Sequence, residues 1–390
     1  MAGEPSSSLS DLQDLRLYLH AHPEVSNAEF ETSAYLRERL SKLPNVHEII
    51  MLDQTGFAVV FKGGAPGPRI MLRCELDALP IHEINTFAHR SSKAGVSHKC
   101  GHDGHMTMLV AVAHAVNAHP PVQGEIILLF QSAEETGDGA VNAIQSPDFE
   151  RIAPDYVYAL HNIPGKPLGA VLVKEGAFTP SVKSLILRFN GRTSHAAEPE
   201  HGLNPALLMA EILYHADQVT LNDTARDDFF LITPIYQTLG EQAYGISAGY
   251  GELHLTLRAW DQDFFDAQCN DFLAAAQRIA QTHGIELTHE WCFAFQANTN
   301  HQKAVEVIRV SASTAGCTLI DMPAPFKFGE DFGIFTQRYP GAMFGLGAGE
   351  ACKALHNPDY DFPDALLEIG PAIFREILNA HGVFTAYRQQ

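Results

Sequence analysis

The sequence contains no apolar run approaching the roughly 18 residues that a membrane-crossing helix needs, so no membrane span is expected. Positive charge is scarce: 26 Lys+Arg stand against 46 Asp+Glu, a formal net charge of -20. An acidic surface disfavours nucleic acid and anionic membranes as partners. It leaves small substrates open, because a local cationic pocket can sit in an acidic field. The six cysteines (Cys74, Cys100, Cys269, Cys292, Cys317 and Cys352) are scattered without the spacing of a disulfide framework. Met1 to Ser10 is polar and has no apolar h-region, so no secretory leader is visible. Reduced thiols and a cytoplasmic protein are therefore expected. There is no repeat of fixed period and no low-complexity tract beyond Ser6 to Ser8.

What is present is apolar material in quantity. Hydrophobic residues make up 46% of 390, too long a chain for one typical core and suited to two or three. Charged residues are 18%, which argues against a disordered chain. Patterning predicts helices over 9–21 and 29–43, a strand from Arg69 to Leu76 after a Gly/Pro-rich turn, a helix from Gly104 to Ala118, and strands at Glu125 to Gln131 and Tyr156 to Leu160. Apolar strands alternating with helices predict an α/β unit whose mostly parallel sheet is covered on both faces.

The middle of the chain changes character. A strand from Val182 to Asn190, a helix from Asn204 to Leu221, strands at Phe229 to Leu239 and Glu252 to Trp260, a helix from Phe264 to His283 and a strand from Ile285 to Phe295 follow in turn. The order βαββαβ predicts a ferredoxin-like α+β domain, 178–292, inserted into a catalytic domain of 1–177 and 293–390. Afterwards the α/β pattern resumes, with a helix near His301 to Thr314, a short helix after Gly329, a strand at Ala342 to Leu346 and a last helix from Asp364 to about His381.

Chemistry-bearing residues gather at the ends of strands. His98-Lys99-Cys100-Gly101-His102-Asp103-Gly104-His105 places imidazoles, a thiol and a carboxylate just before a helix. Thiolate and imidazole suit zinc and related metals, and glycines let neighbouring side chains converge. Taken alone, the segment reads equally as a His-rich surface loop. Gln131 to Gly139 carries Glu134 and Glu135 after an apolar strand; one can bind metal while its neighbour serves as general base. An adjacent Glu pair is more often a solvated acidic turn. Asp77, His161-Asn162 and His356-Asn357-Pro358 follow other strands. In an open α/β sheet such ends converge on one edge, and the bland explanation would have to hold independently at every loop. Two further residues lie in the inserted domain: His195, in a turn of small residues, and Arg258, near a strand end. For Arg258 by itself a surface role is the ordinary reading.

Together these motifs resemble the dinuclear metallo-amidohydrolases of the aminoacylase, hippurate hydrolase and auxin-conjugate hydrolase type, in the superfamily of glutamate carboxypeptidase and succinyl-diaminopimelate desuccinylase. The resemblance runs in order over nearly the whole chain, through Leu76-Asp77-Ala78-Leu79-Pro80-Ile81, Cys100 to His105, Ser132-Ala133-Glu134-Glu135, Leu160-His161-Asn162, Ser194-His195-Ala196-Ala197, Gly329-Glu330-Asp331-Phe332 and Leu355-His356-Asn357-Pro358. It implies two divalent metal ions held by Cys100, His102, Glu135, His161 and His356, with Cys100 bridging. Zinc is favoured by the Cys and His ligands, with manganese or cobalt as alternatives. It implies that an amide bond in an N-acyl amino acid is hydrolysed by a metal-activated water, with Glu134 as general base. Asp77 and Asp103 would orient His ligands. His195, on a lid, would stabilise the oxyanion, in cis or from a partner subunit, and Arg258 would grip the substrate carboxylate. A homodimer through the lid is expected from its edge strands. The chain departs from the pattern at Glu75, where Asp is usual, at Glu200, where His is common, at Asn204, where Asp is frequent, and at Gly245, where Asn is usual. These changes bear on substrate preference. The rival readings are a metallo-carboxypeptidase or dipeptidase using the same centre, and a catalytically silent relative that binds metal or a small ligand.

Overall fold

The computed structural model describes residues 8–384; most of the polar N-terminal segment noted above, and residues 385–390, lie outside the described residues. The chain divides into two compact units. One runs to Gly176 and takes in Asn298–Pro323 and the residues from Asp331 onward; the other is Ala177–Ala297 with Ala324–Glu330. No helix among the described residues is long and apolar enough to cross a membrane.

The first unit is built on an eight-stranded sheet. Its centre is four parallel neighbours in the order Gln123–Gln131, Ala65–Glu75, Tyr156–Ile163 and Gly341–Gly347. Phe57–Lys62 and then Glu48–Met51 extend one side with antiparallel pairing. Val171–Val173, antiparallel to Gly341–Gly347, and Leu319–Asp321 extend the other. The run Ile126-Ile127-Leu128-Leu129-Phe130 is buried on every residue, as expected of a strand covered on both faces. The α/β expectation holds.

Helices Leu9–Ala21, His102–Ala118, Gln302–Thr314 and Leu366–Ala380 bring Leu15, Leu19, Leu109, Val112, Val116, Ile308, Ile373 and Phe374 into one core with Leu72, Leu128, Tyr158 and Phe344 from the sheet. Each such side chain contributes on the order of 1.5–3 kcal/mol relative to exposure. A capping box starts the first helix: Ser8 Oγ accepts from the Asp11 amide at 3.2 Å while the Asp11 carboxylate accepts from the Ser8 amide at 2.9 Å.

The first-unit helix expected from Gly104 begins two residues earlier, at His102, because Gly101 turns the chain with φ at +95°. A Cβ on Gly101 would lie 2.7 Å from Asn162 Oδ1 and 2.9 Å from the Tyr360 hydroxyl. Glycine is thus required for both conformation and space, and the early start fixes His102 on a rigid element.

The second unit has a four-stranded antiparallel sheet in the order Phe230–Leu239, Tyr250–Ala259, Ser181–Asn190, Glu286–Phe295. Helices Ala206–Val219 and Gln262–Thr282 share a core with it through Leu208, Ile212, Phe265, Phe272, Leu185, Leu187, Leu253 and Leu255. Chain order and strand order are those of a ferredoxin-like unit. Asp261 caps the second helix by accepting from the Phe264 amide at 2.8 Å. Ala324–Glu330, remote in sequence, also folds with this unit.

Candidate metal centre

The four parallel strands of the first unit deliver their following residues to one edge. Register sets Glu75 opposite Gln131, and His161 opposite Gly345. Asp77 thus follows one strand, Glu134 and Glu135 the next, and His161 sits within the third. The loop after Gly341–Gly347 carries His356, whose amide donates to the Lys99 carbonyl at 2.8 Å.

Two groups of ligand-capable atoms share one sulfur. Cys100, His102 and His161 form one, and Cys100, Glu135 and His356 the other, the atoms within each lying inside 4.8 Å of one another. Cys100 Sγ is 3.4 Å from His161 Nε2. His356 Nε2 is 3.8 Å from a Glu135 oxygen. His102 Nε2 is 3.9 Å from an oxygen of Glu134 and 3.9 Å from one of Glu135. All five expected ligands and Glu134 are therefore brought together.

Ring orientation is fixed from behind. His102 Nδ1 lies 2.9 Å from the Asp77 carbonyl and 3.4 Å from its carboxylate; His161 Nδ1 lies 2.9 Å from the Asn162 carbonyl. Both Nε2 atoms are thereby turned toward Cys100 and the carboxylates. Asp77 Oδ2 also accepts from the Glu135 amide at 2.9 Å and from Ser26 Oγ at 2.7 Å. Ala133, just before the acidic pair, has φ at +47°, and His356 has φ at +66°. Left-handed residues other than glycine cost on the order of 1–3 kcal/mol and cluster where geometry serves function.

The residues fit divalent cations. Among the described residues His102 Nε2 is buried without a hydrogen-bond partner, which is costly unless something else satisfies it. Burial disfavours the charged form of His102, yet its hydrogen bond to Asp77 and the charges of Glu75, Asp77 and Glu135 outweigh it and raise its pKa to about 10. That is the electrostatic mark of a pocket short of positive charge. Burial, and then the like charge of His105, lower His161 to about 3, leaving it a neutral ligand. Burial and the nearby Glu135 and Glu134 push the Cys100 thiol well above its ordinary value; a bound cation reverses that balance and favours thiolate.

Two residues of the Cys100 segment take other partners, and a third stays apart from the ligands. Asp103, expected to orient a ligand, instead holds His20, Nδ1 to Oδ2 at 2.8 Å, and His20 is not among the ligands. The reason is rotation: on a helix, adjacent residues point about 100° apart, so Asp103 faces away from the ring of His102. His105 lies between Glu75, at 2.7 Å, and Asn162, at 2.7 Å. Glu75 in turn pairs with the buried Arg73, which also bonds Asp331. His98 is buried, with neither ring nitrogen hydrogen-bonded among the described residues.

Sequence reading missed His20, Glu83 and Lys99 as supports of the ligand loops. Each bonds across the chain rather than along it, and only the Lys99-Cys100 adjacency could have suggested the last. His195 and Arg258 belong to the second unit. His195 is exposed and pairs with Ile246 in a short antiparallel ribbon; Arg258 Nε donates to the Lys327 carbonyl at 3.1 Å.

Comparison with known proteins gives one consistent set. The profile of Peptidase family M20/M25/M40 matches residues 71–380. The N-acetyl-L-cysteine deacetylase of Bacillus subtilis is 29% identical over 354 residues, covering 90% of this chain and 84% of that protein. An N-acetyldiaminopimelate deacetylase of Oceanobacillus iheyensis is 28% identical over 366 residues, 92% of this chain and 96% of that protein. Among solved structures, the Bacillus subtilis YXEP protein, described as a dinuclear metal binding peptidase, superimposes with a TM-score of 0.80 at 23% identity, covering 95% of this chain and 97% of its own.

Proposed function

The chain belongs to peptidase family M20/M25/M40, and from that premise we propose that it hydrolyses the amide bond of a small N-acyl amino acid at the centre formed by Cys100, His102, Glu135, His161 and His356. It is a metal-dependent amidohydrolase working with two divalent metal ions. The observation that carries the reading is the pair of ligand groups joined at Cys100, with the Glu134 carboxylate beside them.

Two bound cations would polarise the amide carbonyl and make an attacking water more acidic. Glu134, buried against the centre, takes the proton of that water as its oxygen bonds the acyl carbon. It then hands a proton to the amide nitrogen as the carbon–nitrogen bond breaks, and the products are a carboxylate and the free amino acid. Asp77 keeps His102 and the Glu135 backbone in place throughout. His195 is the proposed donor to the developing oxyanion, and Arg258 the proposed grip on the substrate carboxylate.

The names of the deacetylase relatives favour this reading over a dipeptidase, and the presence of Glu134 with the full ligand set disfavours a silent relative. Zinc is the proposed metal, since thiol and imidazole dominate the ligands, with manganese and cobalt as rivals. A homodimer is proposed through the second unit, whose edge strand Phe230–Leu239 exposes Ile235, Tyr236 and Leu239. Six free cysteines accord with a proposed cytoplasmic location. The test is a panel of N-acetyl and longer N-acyl amino acids beside dipeptides, assayed on metal-stripped protein reloaded with zinc, manganese or cobalt. Turnover of acyl amino acids above dipeptides is expected. Activity on none of them with two metals bound would overturn the reading.

A further inference from the structure

Lys99 is buried completely, immediately before Cys100. Its backbone carbonyl accepts from the His356 amide at 2.8 Å. Its ammonium donates to the Tyr360 carbonyl at 2.8 Å and to Glu83 Oε1 at 2.5 Å. Between those two contacts runs a tight turn, closed by the Tyr360 amide on the Asn357 carbonyl at 3.0 Å. One residue therefore pins both ends of the segment that carries His356.

The other ligands need no such clamp. His102 lies on a helix and His161 in a strand, whereas His356 hangs on a loop, is exposed, and takes a left-handed backbone. A buried ammonium is costly to desolvate, and this one points at the turn rather than at the ligands. We infer that Lys99 is a positioning residue for His356, fixing the His356–Tyr360 turn and so setting the affinity of the cation position shared by Cys100, Glu135 and His356, with little effect on the one formed with His102 and His161. The inference rests on the function proposed above.

Lys99→Met keeps most of the length and the apolar stem of the side chain and removes the ammonium with its charge and its bonds to Glu83 and Tyr360. Glu83 then still has His20 at 3.1 Å and the Ser91 amide at 2.6 Å, so the fold is expected to survive. Asn85 Nδ2 also reaches the Tyr360 carbonyl, at 3.3 Å, and Asn85→Ala supplies a second, half-buried variant acting on the same turn. The experiment titrates zinc into metal-stripped full-length protein, unmodified and variant, and follows bound zinc by metal analysis and folding by thermal melting. Two zinc ions on the unmodified chain test the underlying function; the difference between chains tests Lys99. In Lys99→Met one of the two zinc positions is expected to lose affinity about 10- to 100-fold while the other holds. Asn85→Ala is expected to move the same position by less, and excess zinc to restore kcat in both. Equal weakening of both positions, unchanged zinc affinity, or a lowered melting temperature with no zinc effect in either variant would overturn the inference.

Discussion

The backbone amide of Glu135 donates to Asp77 Oδ2 at 2.9 Å, while the same aspartate flanks the Nδ1 edge of His102. One buried aspartate thus serves two ligands: its backbone carbonyl lies 2.9 Å from His102 Nδ1 on a helix, and its carboxylate, 3.4 Å from the same ring, holds the amide of Glu135 on a strand-end loop. Asp77→Ala is expected to lower metal affinity about 10- to 100-fold, the usual effect of losing such a support. Metal titration of the folded variant measures it, and unchanged affinity would remove Asp77 from this role.

Glu134 is assigned the proton transfers and not the holding of metal. Glu134→Ala is expected to retain both metal ions and lose about 10²- to 10⁴-fold in kcat. Metal content and turnover measured on one preparation separate the two functions. Near-normal turnover would exclude Glu134 as the base.

Gly101 sits with φ at +95° between the Asn162 side chain and the Tyr360 hydroxyl. Gly101→Ala is expected to destabilise the fold by about 1–3 kcal/mol and to weaken metal binding, because Cys100 and His102 flank the turn. Denaturant melts with and without zinc report both effects.

His20 gives a pH signature. Burial opposes its charge, but the bonds to Asp103 and Glu83 outweigh burial and raise its pKa to about 9. A raised folded-state pKa contributes stability that is whole below the unfolded value of about 6.5 and is lost as pH rises through the folded value. The destabilisation caused by His20→Asn should therefore be largest below about pH 6.5 and shrink as pH rises to about 9, by an amount on the order of 3 kcal/mol. Denaturant unfolding of both chains across that range measures the difference; a gap that widens with pH would refute the assignment.

Chelation should abolish activity while leaving the chain folded, because the core of Leu, Ile, Val and Phe around the sheet does not involve the ligands. Ligand release is worth about 2.7 kcal/mol at a hundredfold excess over the dissociation constant. A lowered melting temperature with retained circular dichroism is expected, and full unfolding on chelation would contradict it.

The parts of the centre that were legible in the sequence lie where local pattern decides position. A continuous apolar run such as Ile126 to Phe130 declares a covered strand, and polar groups just beyond it declare a strand end. The alternating order around Ser181–Asn190 likewise declares the second unit. What was hidden depends on rotation or on distance along the chain. Asp103 sits beside a ligand, and helix geometry alone sends it to His20. Lys99 and Glu83, or Arg73 and Asp331, meet only after folding. Ala324–Glu330 joins the second unit with nothing in its residues to announce it.

The parallel strands also act as rulers. Side chains alternate faces along a strand, so inserting or deleting one residue inside Tyr156–Ile163 would turn His161 to the opposite side of the sheet. The same holds for Ala65–Glu75 and the approach to Asp77. Length changes can therefore accumulate harmlessly only where the chain leaves these strands, and an engineer resizing this enzyme should cut in the outer connections and leave every count of residues leading into the centre untouched.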